Sequence, residues 1–451
     1  MSPALRQAVA RGLYATGLRL AVPLWLARLW WRGAREPLYR AHLAERLGFG
    51  PPPEATGALW VHAVSLGETR AASALVQAMR ARLPGLRLLL THGTATGREA
   101  GRALLQPGDA QAWLPIDTPG AVRRFLARHR PAAGVLMETE VWPVLLHEAQ
   151  AAGVPMVLAN ARLSPRSLRR GQRHASLLRP AVASLRLVLA QTDADAQRLR
   201  AMGAHAPQVC GNLKFDLTPD AALIDTGRRW RALLARPVVL AAVTREGEEA
   251  ALLRAWQARV AARTETGGEV LGQVPEEAAA PLLVIVPRHP QRFDEVASLV
   301  QAAGLALVRR SAFDAPDGSA PAWPAAARSA DVWLGDTLGE MSLYYGLADV
   351  ALLGGSFEPL GGQNLIEAAA CGCPVVMGPH TFNFAEAAEL ARQAGAARRV
   401  GSLDEGVQSA LRWLAEPTRQ ADGARARAFA EAHRGAAARM AEAIERLLPP
   451  A

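Results

Sequence analysis

Carboxylates that directly follow apolar, strand-like runs are the first candidates for chemistry in this sequence. In the run 62–68, Ser65 and Gly67 shape a turn and Glu68 opens the next helical pattern. A carboxylate placed there can act as a general base toward a hydroxyl group. The alternative is a glutamate near a helix N-terminus that only complements the helix dipole.

Glu138 and Glu140 hold the same position after a later apolar run, beside Trp142. Carboxylates are uncommon at the edge of an apolar strand unless they are paired. We interpret them as groups that bind substrate hydroxyls or hold a catalytic partner. The alternative is an acidic helix cap followed by a core tryptophan.

Lys214 is the only lysine among 51 basic residues. Arginine suffices wherever any positive charge will do, but not where a compact ammonium on a flexible stem is needed. Lys214 lies in the run 211–216, where two halves of the chain meet. We therefore predict that it reaches a cleft between them and offsets negative charge on a substrate or leaving group. The alternative is chance survival.

The segment 353–367 leaves an apolar run, passes two glycine pairs and opens a helical pattern at Asn364. Glycine pairs let the backbone approach a ligand closely, and a helix start offers N–H groups to a phosphate. Glu367, one turn into the helix, can accept hydrogen bonds from sugar hydroxyls. These features indicate a nucleotide site. The alternative is an ordinary strand-to-helix turn with packing glycines.

Two further turns follow strand-like runs in the second half. Arg288 lies in a turn stiffened by two prolines and is placed to bind a phosphate with both guanidinium branches. Backbone near 339–341 can read the edge of a base. An exposed turn and a plain helix start are the respective alternatives.

The elements that position these residues alternate between apolar strands and helical patterns. The predicted strands are 59–64, 86–90, 134–137, 155–159 and 187–190, then 238–243, 282–286, 332–334, 350–354 and 374–377. Such alternation predicts parallel sheets covered on both faces. We predict an α/β protein with two doubly wound, Rossmann-like domains facing a cleft, with ligands beyond the carboxyl ends of the strands. The predicted division is 1–50, 51–216 and 217–451. The tail 420–448 closes the second domain or crosses back to the first.

Composition excludes several classes. Half of the 451 residues are apolar and a fifth are charged, which is typical of a globular protein. The three cysteines form no disulfide framework, and no cysteine or histidine spacing fits a metal site. We therefore predict a reducing, cytoplasmic setting and no cofactor or protein-bound metal. No nucleic-acid-binding motif is present, so nucleic acid is not a predicted partner.

The segment 1–50 is strongly basic. It holds eight Arg and two Glu, so +6 of the net +10 lies there, with three of the eleven Trp. Its Trp-bearing part has a longest uncharged run of 20–27, far below the ~20 residues that span a bilayer. No cleavable signal is predicted. We predict a helix lying on an anionic membrane surface, each arginine contributing ~1 kcal/mol. The alternative is a basic helix packed on its own domain.

Taken together, these segments resemble the 3-deoxy-D-manno-octulosonic acid (Kdo) transferases of lipopolysaccharide assembly. The matching pieces occur in the family's order and are HAVSLGE, METEVWP, LANARLS, GNLKFD, PRHPQRF, GDTLGEM, GGQNLIEAAACGCPVVMGPHTFNF and the basic N-terminus. The chain departs from the family's usual residues at Val144, Gln363, Ala368 and in 243–247.

The resemblance implies a GT-B fold and transfer of Kdo from CMP-Kdo to a lipid A precursor, lipid IVA, at the cytoplasmic face of the inner membrane. It makes Glu68 the general base and Glu138 and Lys214 the groups that stabilise the transition state. The implied CMP-binding residues are Pro287, Arg288, Gly339, Glu340, Met341, Asn364, Leu365, Ile366 and Glu367. Ser65, Gly67 and Glu140 lie on the acceptor side. The reaction expected is an inverting transfer.

Two other functions remain open from the sequence. One keeps the fold and changes the donor, as in a UDP-sugar transferase or a hexosamine epimerase. The other is an inactive, membrane-docked scaffold. The intact set of Glu68, Glu138, Lys214 and Glu367 argues against the scaffold.

Overall fold

The computed structural model describes residues 2–51, 53–265, 280–313, 323, 325–416 and 419–448. The chain forms two compact units. Unit 1 comprises Met1–Leu217 and His433–Ala451, and unit 2 comprises Thr218–Ala432. Within the described ranges, each unit is built on a seven-stranded parallel sheet.

Unit 1 has the strand order β3-β2-β1-β4-β5-β6-β7. Its strands are β1 (Leu59–His62), β2 (Leu88–His92), β3 (Ala110–Trp113), β4 (Ala133–Met137), β5 (Met156–Ala161), β6 (Leu187–Ala190) and β7 (Gln208–Val209). Its helices are α1 (Pro3–Arg32), α2 (Leu66–Arg82), α3 (Ala95–Gly101), α4 (Pro119–His129), α5 (Pro143–Ala151), α6 (Pro165–Arg173), α7 (Ala175–Ala183), α8 (Asp193–Ala201) and, from the C-terminus, α17 (Ala436–Glu445). The strand order reverses between β1 and β4, the position where open α/β sheets bind ligands.

Unit 2 has the order β10-β11-β9-β8-β12-β13-β14. Its strands are β8 (Val238–Thr244), β9 (Leu282–Pro287), β10 (Leu307–Arg309), β11 (Val332–Leu334), β12 (Val350–Leu353), β13 (Val375–Met377) and β14 (Ala397–Arg399). Its helices are α9 (Ala221–Leu234), α10 (Glu248–Glu265), α11 (Phe293–Ala302), α12 (Met341–Leu347), α13 (Leu365–Cys371), α14 (Ala385–Gln393), α15 (Leu403–Ala415) and α16 (Arg419–Ala432). Here the order reverses between β8 and β12.

Both faces of the unit 1 sheet are buried, which explains why its central strands are apolar over most of their length. Trp60 packs into the core on one face, whereas its neighbour Val61 packs into the core on the other. Val135 and Leu136 divide in the same way. Because successive side chains point to opposite faces, a strand buried on both faces is apolar at most of its positions.

The predicted α/β architecture is confirmed, and each predicted strand corresponds to one in the structure. Four strands of the structure, β3, β7, β10 and β14, were not predicted from the sequence. These four are the edge strands of the two sheets. Edge strands contact the sheet on one side only and here carry polar or partly exposed residues, so they lack the continuous apolar signal.

The C-terminal tail corrects the predicted second domain of 217–451. Helix α16 stays with unit 2, but α17 belongs to unit 1 and packs on α2. The Asp216 carboxylate fixes α17, because it accepts hydrogen bonds from the backbone N–H groups of Gly435 (2.6 Å) and Ala437 (2.7 Å). Most of the two predicted loops, 264–281 and 311–327, lies outside the described residues.

Helix α1 is part of unit 1, so the segment 1–50 is not a separate body. It packs through Ala15 and Leu29, and the Tyr14 hydroxyl hydrogen-bonds to the buried Asp117. This packing is the alternative that the sequence left open. The helix nevertheless exposes large apolar side chains, with Leu24 77% and Trp31 82% exposed. In the part of the chain that is described, no helix is both long and apolar enough to cross a bilayer.

Candidate active site

Glu68 lies in the first turn of α2, whose N-terminal cap is Ser65. The Ser65 hydroxyl accepts a hydrogen bond from the Glu68 N–H (3.5 Å) and donates to Glu68 Oε1 (3.2 Å). The other carboxylate oxygen accepts from the Val64 N–H at 2.7 Å. This is close to a capping box. Glu68 therefore stabilises the helix start, as the alternative interpretation held, and that role is compatible with acid–base chemistry.

The environment of Glu68 raises its pKa to about 7. Burial is the main cause, and the nearby carboxylates Glu140 and Glu138 add to it, against the hydrogen bond from Val64. A general base works best when its pKa is close to the working pH. The geometry thus gives Glu68 the protonation behaviour that its predicted role requires.

Glu138 follows β4 with a left-handed backbone (φ 56°) and a buried side chain. One carboxylate oxygen lies 3.1 Å from Lys214 Nζ, and the other lies 3.1 Å from Arg162 Nε. The two cations offset the charge of this buried carboxylate. Such a strained, over-determined position is typical of functional sites.

Lys214 is held by a short 3-10 turn, Leu213–Asp216. Asn160 Oδ1, at the end of β5, accepts from the Leu213 N–H, and Asn212 Oδ1 accepts from the Lys214 N–H, both at 3.0 Å. Asp216 ties the same turn to α17. The lone lysine is thus fixed from two directions beside Glu138.

His62 ends β1 and is fully buried. Its Nδ1 lies 3.1 Å from the Thr91 carbonyl oxygen and 3.0 Å from the Thr91 hydroxyl, and its Nε2 lies 4.0 Å from Glu140 Oε2. Burial lowers the pKa of His62 to about 3, so the ring is neutral. Burial also raises the pKa of Glu140, which accepts from Trp142 Nε1 at 2.8 Å.

The structure therefore brings Glu68, Glu138, Glu140 and Lys214 together in unit 1. Three further residues of the site, His62, Asn160 and Arg162, were not predicted from the sequence. All three lie in segments that matched the family, and His62 is a polar residue that ends an apolar strand, which is a usable signal. Asn160 gave none, because its left-handed φ of 52° is visible only in three dimensions. The predicted acceptor-side glycine, Gly67, has no close contact that demands glycine.

In unit 2, the predicted donor residues all follow the carboxyl ends of β9, β11 and β12, which with β8 form the middle of the sheet. Pro287 ends β9, and the exposed Arg288 follows it. The Arg288 N–H donates to the Thr244 carbonyl oxygen at 2.9 Å. Parallel strands end at one edge of a sheet, so these turns share that edge.

The turn at 339–341 is held by its own glutamate. Gly339 has φ 83°, and the Glu340 carboxylate lies 2.8 Å from Arg310 Nη2. The same carboxylate accepts from the Thr337 hydroxyl. Because the side chain is engaged in this way, a nucleotide at this turn would meet mainly backbone, with Met341 as the first residue of α12.

The glycine-rich loop packs closely against neighbouring residues and leads into the N-terminal cap of α13. Gly361 and Gly362 have φ 92° and 73°, and a Cβ on Gly361 would lie 2.4 Å from Asn383, so packing demands glycine there. Asn364 caps α13 by accepting from the Ile366 N–H at 3.2 Å. The side chains of Leu365 and Ile366 are buried, so only their backbone can face a nucleotide, whereas Glu367 is partly exposed.

No three His, Cys, Asp or Glu side chains within the described ranges are grouped so that they could hold a metal ion.

Comparison with known proteins relates this chain to one family. The family model described as 3-deoxy-D-manno-octulosonic-acid transferase (kdotransferase) matches residues 41–217. A 3-deoxy-D-manno-octulosonic acid transferase of Bordetella pertussis is 49% identical over 97% of this chain and 99% of its own. The transferase of Haemophilus influenzae is 32% identical over 90% of each chain.

The fold also resembles solved structures. A putative UDP-N-acetylglucosamine 2-epimerase from Listeria monocytogenes superposes with a TM-score of 0.55 and 13% identity over 87% of this chain and 96% of its own. This similarity concerns the fold alone, which is GT-B.

Proposed function

The chain belongs to the family of Kdo transferases, as its motifs predicted, and we propose that it moves Kdo from CMP-Kdo to a lipid A precursor, lipid IVA, in lipopolysaccharide assembly. The observation that carries the proposal is the half-buried Glu68 carboxylate, whose pKa of about 7 suits a base that deprotonates a sugar hydroxyl.

The proposed step is an inverting displacement. Glu68 takes the proton of the acceptor hydroxyl, and the oxygen forms a bond to the anomeric carbon of Kdo. The bond from that carbon to the phosphate oxygen breaks on the opposite face, and CMP leaves with the electron pair. Lys214, held against Glu138 at 3.1 Å, supplies a positioned cation near the reacting groups.

On the donor side, unit 2 supplies the CMP site. The Arg288 guanidinium binds the phosphate, and the first-turn N–H groups of α13 that Asn364 does not cap support it. Glu367 accepts from the ribose hydroxyls. Backbone at 339–341 reads the cytosine edge, since the Glu340 side chain already pairs with Arg310.

Mass spectrometry of the lipid product tests this function. Incubation with isotope-labelled CMP-Kdo and tetraacyl lipid A precursor is expected to add labelled Kdo to the lipid. CMP is expected to raise the melting temperature of the protein, and UDP is not. Stabilisation by UDP alone, with no labelled lipid, would instead support a UDP-sugar enzyme of the same fold.

The membrane is the second proposed partner. Helix α1 presents Leu13, Leu20, Leu24 and Trp31 to the outside, each at least 70% exposed, among the basic residues of 1–50. An apolar face with surrounding arginines suits the anionic surface of the inner membrane at its cytoplasmic face. A glycolipid acceptor embedded in that surface would then be within reach.

Replacing Leu24 and Trp31 with serine is expected to weaken binding to phosphatidylglycerol vesicles by at least about tenfold, because two large apolar side chains no longer enter the lipid. Vesicle co-sedimentation measures this. The matched control replaces Leu233 and Leu338 of unit 2, which are also exposed, with serine. If the α1 variant and the control variant bind vesicles equally well, α1 is not the membrane contact.

A further inference from the structure

Helix α6 carries an arginine face without acidic partners. Arg166, Arg169, Arg170 and Arg173 are spaced i, i+3, i+4 and i+7 and therefore share one side of the helix. Together with His174 they line a cavity of about 390 Å³. The opposite side packs inward through Leu168 and Gly171, where a Cβ on the glycine would lie 2.9 Å from Met202.

This charge is not balanced locally. Residues 149–192 hold seven arginines and no Asp or Glu. Elsewhere the protein pairs helical arginines with acids three residues away, as in Arg102 with Glu99 (2.9 Å) and Arg392 with Glu389 (2.7 Å). In the part of the chain that the structure describes, none of the four α6 arginines has such a pair.

Like charges three or four residues apart destabilise a helix. Four arginines on one face of the nine-residue α6 therefore act against its stability. A bound polyanion would reverse that repulsion and use the planar, forked donors that match phosphate oxygens. The residues are also exposed, so a ligand can reach them.

The cavity lies close to the catalytic cluster along a short, fixed stretch of chain. Arg162 contacts Glu138 at 3.1 Å. Four residues of chain span at most ~14 Å, so the Cα atom of Arg166, the first residue that lines the cavity, lies within that distance of the Cα atom of Arg162. The connecting loop is anchored, because the Leu163 N–H donates to Asp195 at 2.8 Å. The cavity therefore begins one short, anchored loop away from the residue that contacts Glu138.

We infer that the α6 cavity binds a phosphate group of the acceptor glycolipid and so positions the acceptor hydroxyl relative to Glu68. The inference rests on the proposed function, since a lipid A precursor is a phosphorylated glycolipid. It adds a recognition site in unit 1 that reads phosphate on the acceptor.

The test compares lipid IVA with the same glycolipid after phosphatase treatment, both in neutral detergent micelles. Wild-type protein is expected to bind the phosphorylated form roughly tenfold tighter or more, because charge-assisted hydrogen bonds are lost with the phosphate. Arg169→Ala/Arg173→Ala is expected to lose that preference, with a higher KM for the acceptor and an unchanged kcat and KM for CMP-Kdo. Arg200→Ala/Arg254→Ala removes two exposed arginines from other helices and is expected to behave as wild type.

The outcomes separate the two ideas. If the α6 variant keeps the preference for the phosphorylated acceptor, the cavity is not its phosphate site, whatever the transfer assay shows. If the variant loses only its affinity for micelles that contain phosphatidylglycerol, the cavity binds lipid headgroups and the inference is wrong. If wild type prefers the phosphorylated glycolipid, the α6 variant loses that preference and wild type nevertheless transfers no Kdo, the cavity is a phosphate site and the proposed function is wrong.

Discussion

Glu68→Gln is expected to lower kcat for Kdo transfer by about 10²–10⁴-fold, the range attributed to a general base. Glutamine keeps an oxygen that can accept from the Val64 N–H, and it is an accepted residue of the capping box. The substitution therefore separates the two roles of Glu68, since it removes the base and keeps the cap. We expect near-normal CMP binding and, at neutral pH, a melting temperature at or above that of wild type.

The pH dependence identifies the same group. A base must be deprotonated, so kcat/KM of the wild type is expected to rise with pH through about 7, the pKa of Glu68. This pKa is higher in the folded protein than the ordinary value of 4.5, so ionisation of Glu68 opposes folding as pH rises from 4.5 to about 7. The glutamine variant is expected to lose both this rise in activity and this loss of stability between pH 4.5 and about 7.

Glu99→Gln provides the matched control, because it neutralises an exposed glutamate on α3 of the same unit. It is expected to leave kcat and the pH profile unchanged. Wild-type turnover by Glu68→Gln would assign proton removal to another group in the cluster.

Lys214→Arg is expected to lower kcat by about 10²-fold or more, the loss measured when one preorganised donor is removed from a transition state. Because the substitution keeps the positive charge, a loss of activity reports the different shape of the guanidinium. The guanidinium is larger than the ammonium, and the place beside Glu138 is already shared with Arg162 at 3.1 Å. A second guanidinium cannot occupy the same position without moving Glu138.

Steady-state kinetics and thermal melting distinguish this from simple misfolding. Glu138→Gln leaves two partly exposed cations without their carboxylate and is expected to cost about 1–3 kcal/mol of stability. Lys214→Arg keeps the charge balance and is expected to melt much nearer to wild type. Arg198→Lys, which exchanges the same two residue types in the Asp195 ion pair, serves as the control. Full activity of Lys214→Arg would show that catalysis does not require a lysine at this position.

The two doubly wound α/β domains could be predicted because the pattern of their strands and helices is local, whereas the GT-B fold was implied by the resemblance to the family. Strands covered on both faces are apolar at most positions, so they are recognisable in the sequence. The four edge strands pair with a neighbouring strand on one side only and lack this continuous apolar pattern, so they were not predicted. At the C-terminus, too, the element could be predicted but its surroundings could not. The helical pattern of 436–445 was visible, but its place in unit 1 depends on Asp216, which lies in a distant part of the sequence.

The sequence determined which residue types stand at the strand ends, and hence the candidates Glu68, Glu138 and Lys214. Only the tertiary structure decided what they do to one another. It set the pKa of Glu68 through burial and two neighbouring carboxylates, and it placed Arg162 and Lys214 on either side of Glu138. The physical reason is that a pKa and an ion pair depend on distance and burial, which depend on how remote segments pack. Residue type and spacing are carried by the chain itself.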